Sequence, residues 1–147
     1  MKIRGLIVKE PFVAMIARGV KKWELRRYPT KIRGPVALVS RGWLYGFAVL
    51  NRVFSISLKD VYKYKNMHRA PRRLIENYAM GLDKLYVWEF RESMPLPRPI
   101  KVSYSRKARV WAMIDAETVL RKLKREGLSG EAKKLYRMLK KNRQRPG

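Results

Sequence analysis

Glu24 is one of only 11 acids in a chain that carries 36 lysines and arginines, and it sits in the stretch GVKKWELRR, Gly19 to Arg27, between Lys21 and Arg26. A lysine and a glutamate three residues apart are the one pair here suited to acid–base work. The lysine would act through a depressed pKa in a basic pocket, and the glutamate as the base. On a strand, side chains alternate, so Lys22, Glu24 and Arg26 are expected on one face while Trp23 and Leu25 turn to the core. Lys21 lies at the junction of a helix cap and that strand, where alternation leaves its direction open. The plain alternative is an ion pair on a solvated face, worth under about 1 kcal/mol.

The flanking residues must build the scaffold for this pair. KIRGLIV (Lys2 to Val8) reads as a short strand, and PFVAMIARG as a helix opened by Pro11 and closed by Gly19. KKWELRR, GPVALVS (Gly34 to Ser40) and YGFAVLNRVFSIS (Tyr45 to Ser57) read as strands, the last one long or bent. From Leu58 to Met80 the pattern turns helical and basic. KLYVWEF (Lys84 to Phe90) and ARVWAMI (Ala108 to Ile114) resume the strands, with the proline-punctuated MPLPRPIKVSY between them as edge strand or loop. After Ile114, a helix capped by Asp115 and a second opened near Ser129 form a helical hairpin. The expected fold is therefore α+β, a small β-barrel over residues 1–114 with flanking helices and a basic C-terminal helical extension over residues 115–147. Only the last residues, NRQRPG, read as low complexity.

Charge limits the partners. The formal net charge is +25 over 147 residues, and residues 115–147 contribute +7 of it from 11 basic and four acidic groups. A field that strong and that widespread calls for a polyanion, and nucleic acid with counterion release is its commonest match. No apolar run approaches the roughly 20 residues of a membrane span and no signal peptide precedes the first strand, so a cytoplasmic, non-membrane protein is expected. Zero cysteines exclude disulfide scaffolds, zinc ribbons and thiol nucleophiles. There is no Gly-rich phosphate loop, nucleophile elbow or metal-ligand spacing, so no cofactor and no metal are expected. A single glutamine beside abundant Lys, Arg and Tyr leans towards a thermophile.

Leu6 to Leu38, LIVKEPFVAMIARGVKKWELRRYPTKIRGPVAL, resembles the signature of the ASCH domain, a member of the PUA-like superfamily. The hallmark Gly-x-Lys-x-x-Glu-x-Arg falls on Gly19, Lys21, Glu24 and Arg26, followed by the Arg33-Gly34 pair before a strand. LYVWEF and RVWAMI fit the family's closing strands, so the resemblance covers residues 1–114. It implies a PUA-like β-barrel with a cleft into which the hallmark side chains point, and a role in RNA binding or metabolism. In such a cleft Glu24 would accept hydrogen bonds from a base edge or ribose hydroxyl while the cations take phosphate. Some relatives are described as ribonucleases or as amidohydrolases on modified nucleosides. The amidohydrolases carry a threonine where this chain has Glu24, and a partner acid after the fourth strand, whereas Val61 to Arg73 contains no acid. That leaves ribonuclease, with Lys21 and Glu24 catalytic, as the enzymatic reading.

Aromatics among cations supply further RNA-binding candidates: Arg41 and Trp43 in RGWLYG, and Tyr104, Arg106 and Lys107 in SYSRK. With Lys21, Lys22, Glu24, Arg26 and Arg33 they complete the expected surface. Trp88 and Trp111 read as core. YKYKNMHRAPRR (Tyr62 to Arg73), with His68, reads either as a solvated basic loop or as a phosphate-tracking arm. The expected protein is a monomeric binder of structured RNA, ribosomal or transfer, with a constitutive ribonucleoprotein component and an RNA-cleaving enzyme as alternatives.

Overall fold

The computed structural model describes residues 1–143; Gln144 to Gly147, the end of the low-complexity NRQRPG stretch, lie outside the described residues. The chain runs β1 (Lys2–Ile7), α1 (Phe12–Ala17), β2 (Trp23–Arg26), β3 (Gly34–Ser40) and β4 (Trp43–Ser57). A helical excursion follows, with α2 (Leu58–Val61), a 3-10 turn (Tyr62–Tyr64), α3 (Lys65–His68) and α4 (Arg72–Ala79). β5 (Lys84–Lys101), β6 (Trp111–Asp115), α5 (Ala116–Arg125) and α6 (Ser129–Arg143) complete it. The fold is α+β.

The strands form one six-stranded sheet in the order β2-β5-β4-β3-β1-β6. Only β1 and β3 run parallel. Register shifts break the β4–β5 ladder at Leu44/Gly46, Phe47/Val49 and Leu50/Arg52, and such irregularities bend and twist a strand pair. The sheet curls so far that the Trp88 ring, on β5, stacks on Trp111 of β6, four strands along the order, with centroids 5.7 Å apart. The Arg26 guanidinium on β2 likewise donates to the Ile7 carbonyl at the end of β1. No backbone ladder joins β2 to β6. The sheet is therefore open, and the closed barrel expected from the sequence is corrected to a curled sheet whose gap is bridged by side chains.

β5 explains the prolines. Its first half pairs with β2 on one side and β4 on the other, the Phe90 N–H still reaching the Lys22 carbonyl, while from Arg91 onward β4 alone pairs with it. Pro95, Pro97 and Pro99 fall in that one-sided half, where a missing N–H is tolerated. Gly46 meets this strand so closely that a Cβ would lie 2.5 Å from the Met94 carbonyl oxygen and 3.1 Å from the Ala17 Cβ. A glycine there lets α1 press onto β4 and β5.

β3 alternates between two cores. Ala37 and Val39 join Val119, Leu123, Leu128, Ala132 and Leu135 of the C-terminal helices, whereas Val36 and Leu38 join Val13 and Ile16 of α1 and Trp88. A third cluster packs Val61, Ala70 and Ile75 of the helical excursion on Trp23, Leu25, Leu85 and Val87. That excursion is neither a free loop nor a free arm. α5 starts directly after β6, with Asp115 accepting the Thr118 N–H at 2.9 Å as its cap. A cut at residue 114 would thus run through a shared core.

A chain ending at Ile114 is expected to lose its near-UV circular dichroism and its cooperative melt, because Ala37, Val39, Phe47 and Ile114 lose their cover. In the full chain Leu135→Ala should cost about 2–5 kcal/mol. A native-like near-UV spectrum from the truncated chain would show that the sheet holds a sufficient core without the hairpin.

Candidate functional site

Gly19 starts the site. It sits at φ +77° after α1, a left-handed conformation that glycine adopts without steric cost. The N–H groups of Val20 and Lys21 both return to the Met15 carbonyl. This turn drives the Lys21 side chain inward before β2 begins, leaving it only 2% exposed. Its ammonium donates to the His68 carbonyl, lies 3.6 Å from Glu24 Oε1, and sits 4.8 Å from the Phe12 ring centroid.

Glu24 and Arg26 lie side by side on β2, as alternation requires. Arg26 donates through Nε (3.2 Å) and Nη2 (2.9 Å) to one oxygen, Glu24 Oε2, and its Nη2 also reaches the Ile7 carbonyl at 3.1 Å. Glu24 Oε1 pairs with the Lys21 ammonium at 3.6 Å, a longer contact than the two Arg26 bonds to Oε2. Unequal use of its two oxygens makes Glu24 an acceptor with capacity to spare.

Both cations feel their burial. Desolvation pushes the Lys21 ammonium below its usual pKa; the Glu24 charge opposes the fall and Arg26 adds to it. Burial pulls the Arg26 guanidinium the same way, but the charge and hydrogen bonds of Glu24 outweigh it and leave the pKa raised.

These groups open on a cavity of about 640 Å³, within the range of small-ligand sites. Its wall includes Phe12, Leu25, Leu74, Ile75 and Tyr78, and its polar groups include Lys9, Glu10, Ser40, Arg41 and Arg109. Ser40 ends β3 and is buried, and its hydroxyl has no hydrogen-bond partner among the described residues. Arg41 and Gly42 form the two-residue turn between β3 and β4, both at positive φ (50° and 84°). This turn type matches the twist of the flanking strands but is costly for an arginine. The strained turn sets Arg41 beside the cavity.

Of the residues singled out in the sequence, Lys21, Glu24, Arg26 and Arg41 line the cavity. The others lie off it. Lys22, just before β2, is exposed and does not line the cavity. Arg33 is exposed, folded onto the carbonyls of Thr30 and Ile32. Trp43 is exposed at the start of β4 beside Lys101. The Tyr104 hydroxyl accepts the Gly42 N–H at 2.8 Å, so it braces the Arg41 turn. Arg106 and Lys107 are exposed in the loop before β6. Trp88 is fully buried and Trp111 partly, as expected of core. Glu24 and Arg26 are both largely buried, so the solvated-face alternative fails.

Sequence reasoning missed Lys9, Ser40, Tyr78 and Arg109. Ser40 had a faint signal as the residue before the Arg41-Gly42 turn; Arg109 and Tyr78 arrive from distant segments and had none. No group of histidines, cysteines or carboxylates suited to a metal occurs among the described residues. None of their helices is long and apolar enough to cross a membrane.

Comparisons with known proteins converge on one family. The model described as the ASCH domain matches residues 6–124. No curated protein sequence matches the chain. Among solved structures, the chain is similar to the crystal structure of ASCH from Zymomonas mobilis, at 20% identity over 67% of this chain and 72% of that one, with a TM-score of 0.60. It is similar also to two variants of that protein. A tyrosine-to-phenylalanine form shows 20% identity over 69% of this chain and 76% of that one, with a TM-score of 0.60. A serine-to-alanine form shows 16% identity over 82% and 94%, with a TM-score of 0.67. At these identities the likeness speaks for the fold.

His68 supports the site from behind. Its Nδ1 accepts the Ala70 N–H at 3.0 Å, so Nε2 carries the proton and donates to the Val61 carbonyl at 2.9 Å. Burial holds the imidazole below its usual pKa, the Val61 bond opposing and the Lys21 and Lys65 charges adding. Below about pH 6.5 the unfolded chain takes up a proton that the folded ring refuses, so stability falls as pH drops through that value until the folded ring itself protonates. Chemical denaturation should show this loss setting in as pH falls below about 6.5. His68→Asn, less stable throughout, should show a flatter profile there; an unchanged slope would assign the pH dependence to other groups.

Proposed function

Because the chain belongs to the ASCH domain family, a family proposed to bind RNA, we propose that it is an RNA-binding protein whose cavity takes a single nucleotide of a structured RNA. The observation that carries this reading is the uneven grip on Glu24. Arg26 holds Oε2 with two hydrogen bonds, while Oε1 faces the Lys21 ammonium only at 3.6 Å, a looser contact that leaves it able to accept from a base edge or a ribose hydroxyl. Ser40 also lines the cavity, and Lys9, Arg41 and Arg109 supply cations for the flanking phosphates. Phe12 and Tyr78 offer apolar and aromatic surface for the base. With +25 of formal charge around it, the cavity works inside a field that concentrates polyanions. Ribosomal and transfer RNAs are the structured RNAs this charge suits best, and a constitutive ribonucleoprotein role is the same chemistry held permanently.

One observation favours a second reading, RNA cleavage. An ammonium with a lowered pKa beside a carboxylate is a proton-transfer pair, and Lys21 and Glu24 have that arrangement. Binding remains the first reading because the Lys21 ammonium is already engaged by the His68 carbonyl.

The test compares RNA binding and cleavage by wild type, Glu24→Gln, Ser40→Ala and Arg109→Ala. Loss of a charge-assisted bond should cost Glu24→Gln about 1.5–3 kcal/mol for the preferred RNA and leave random sequences almost unaffected. Arg109→Ala should weaken all RNAs alike and flatten the salt dependence by about one unit. Glu24→Gln also leaves two buried cations less compensated, so Ser40→Ala, which keeps the cluster, is the variant to read if Glu24→Gln melts early. Titratable RNA cleavage abolished by Glu24→Gln with binding intact would favour the nuclease.

A further inference from the structure

α6 has two unlike sides. Ala132, Leu135 and Leu139 are buried in the core shared with β3, β4 and β6, which fixes the helix's rotation. The outer side presents Lys133, Lys134, Tyr136, Arg137, Lys140 and Lys141, all exposed. At about 1.5 Å per residue these cations span roughly 12 Å along the helix, about two turns. Lys141 bonds Glu92 at 2.8 Å. Lys133, Lys134, Arg137 and Lys140 make no ion pair among the described residues. Glu92 and Glu131 line the groove of about 630 Å³ between β5 and α6 together with Lys134, Arg137 and Lys141, so the cations outnumber the acids along its rim.

We propose that this crest is a second RNA-binding surface, separate from the cavity, which grips the sugar–phosphate backbone of a double-helical segment. The proposal rests on the reading of the protein as an RNA binder. Charge complementarity picks the occupant: a rigid row of unpaired cations meets the fixed phosphate spacing of a duplex, with Tyr136, 55% exposed, among them. A lipid surface fits less well, since the apolar half of α6 is consumed by the core and has nothing to insert. The crest and the cavity also lie on opposite sides of β3. Ala37 and Val39 face the α6 side, while Val36 and Leu38 face the α1 side. An RNA that fills the cavity therefore leaves the crest open to another stretch of backbone, and the two surfaces should be separable by mutation.

The experiment measures binding of a 20-base-pair RNA hairpin against salt for wild type, the fourfold variant Lys133→Ala, Lys134→Ala, Arg137→Ala and Lys140→Ala, and Ser40→Ala. All four crest positions are exposed, and alanine suits a helix, so melting temperatures should match. The log–log slope should become shallower by about three units in the fourfold variant, and stay at the wild-type value in Ser40→Ala. A fourfold variant with the wild-type slope overturns this proposal alone. A wild type with no salt-dependent RNA binding overturns the broader reading and this one with it. If phosphatidylserine vesicles lose binding in the fourfold variant while the hairpin does not, the crest is a membrane surface and the proposal fails.

Discussion

The buried carboxylate of Glu24 is the point on which the architecture turns. Two cations converge on it, and each also holds a distant part of the chain. Arg26 reaches from β2 to the Ile7 carbonyl of β1, across the gap in the curled sheet. Lys21 reaches to the His68 carbonyl in the helical excursion. One charge cluster thus ties together two sides of an open sheet and the helices that cover it. Such a cluster is costly to bury, and a hydrophobic replacement is often neutral or better for stability alone. It lies on the wall of a cavity rather than in the packed core.

The rest of the molecule keeps that cluster partly dry and partly open. Phe12 and Leu25 give it apolar neighbours, and α4 brings Leu74, Ile75 and Tyr78 over the cavity. Ser40 and Arg41 complete the lining, and the Arg41-Gly42 turn is braced by the Tyr104 hydroxyl. Tyr104 has a structural role in this arrangement. An aromatic among cations suggests stacking on bases, yet its hydroxyl accepts a backbone N–H and its ring packs against the core of the C-terminal helices.

Charge is organised on two scales. The global excess of cations is a property of composition and sets a long-range field over both faces of the sheet. The local arrangement differs from place to place. In the cavity Glu24 compensates Lys21 and Arg26, and on α6 four cations make no ion pair among the described residues. A compensated cluster with one loosely held acceptor suits discrimination, whereas a row of cations without ion pairs suits grip on a backbone of any sequence.

The sequence by itself determined the local and the global terms. Period-two patterning located five of the strands within a few residues, β-branched content marked β3 at its observed bounds, and Gly19 marked the end of α1, because these depend on neighbours along the chain. The hallmark spacing identified Lys21, Glu24 and Arg26, and the count of charges indicated a polyanionic partner. Tertiary structure alone decided which way Lys21 turns, that Lys22 stays outside, and that the sheet stops short of closing. It also decided that the basic excursion after Leu58 is a packed cover with His68 at its centre. Arg109, Ser40 and Tyr78 reach the cavity from three separate elements, and the C-terminal helices share a core with β3. The physical reason is the same in each case: these facts depend on side chains far apart in sequence competing for the same buried space, and no pattern along the chain encodes that competition.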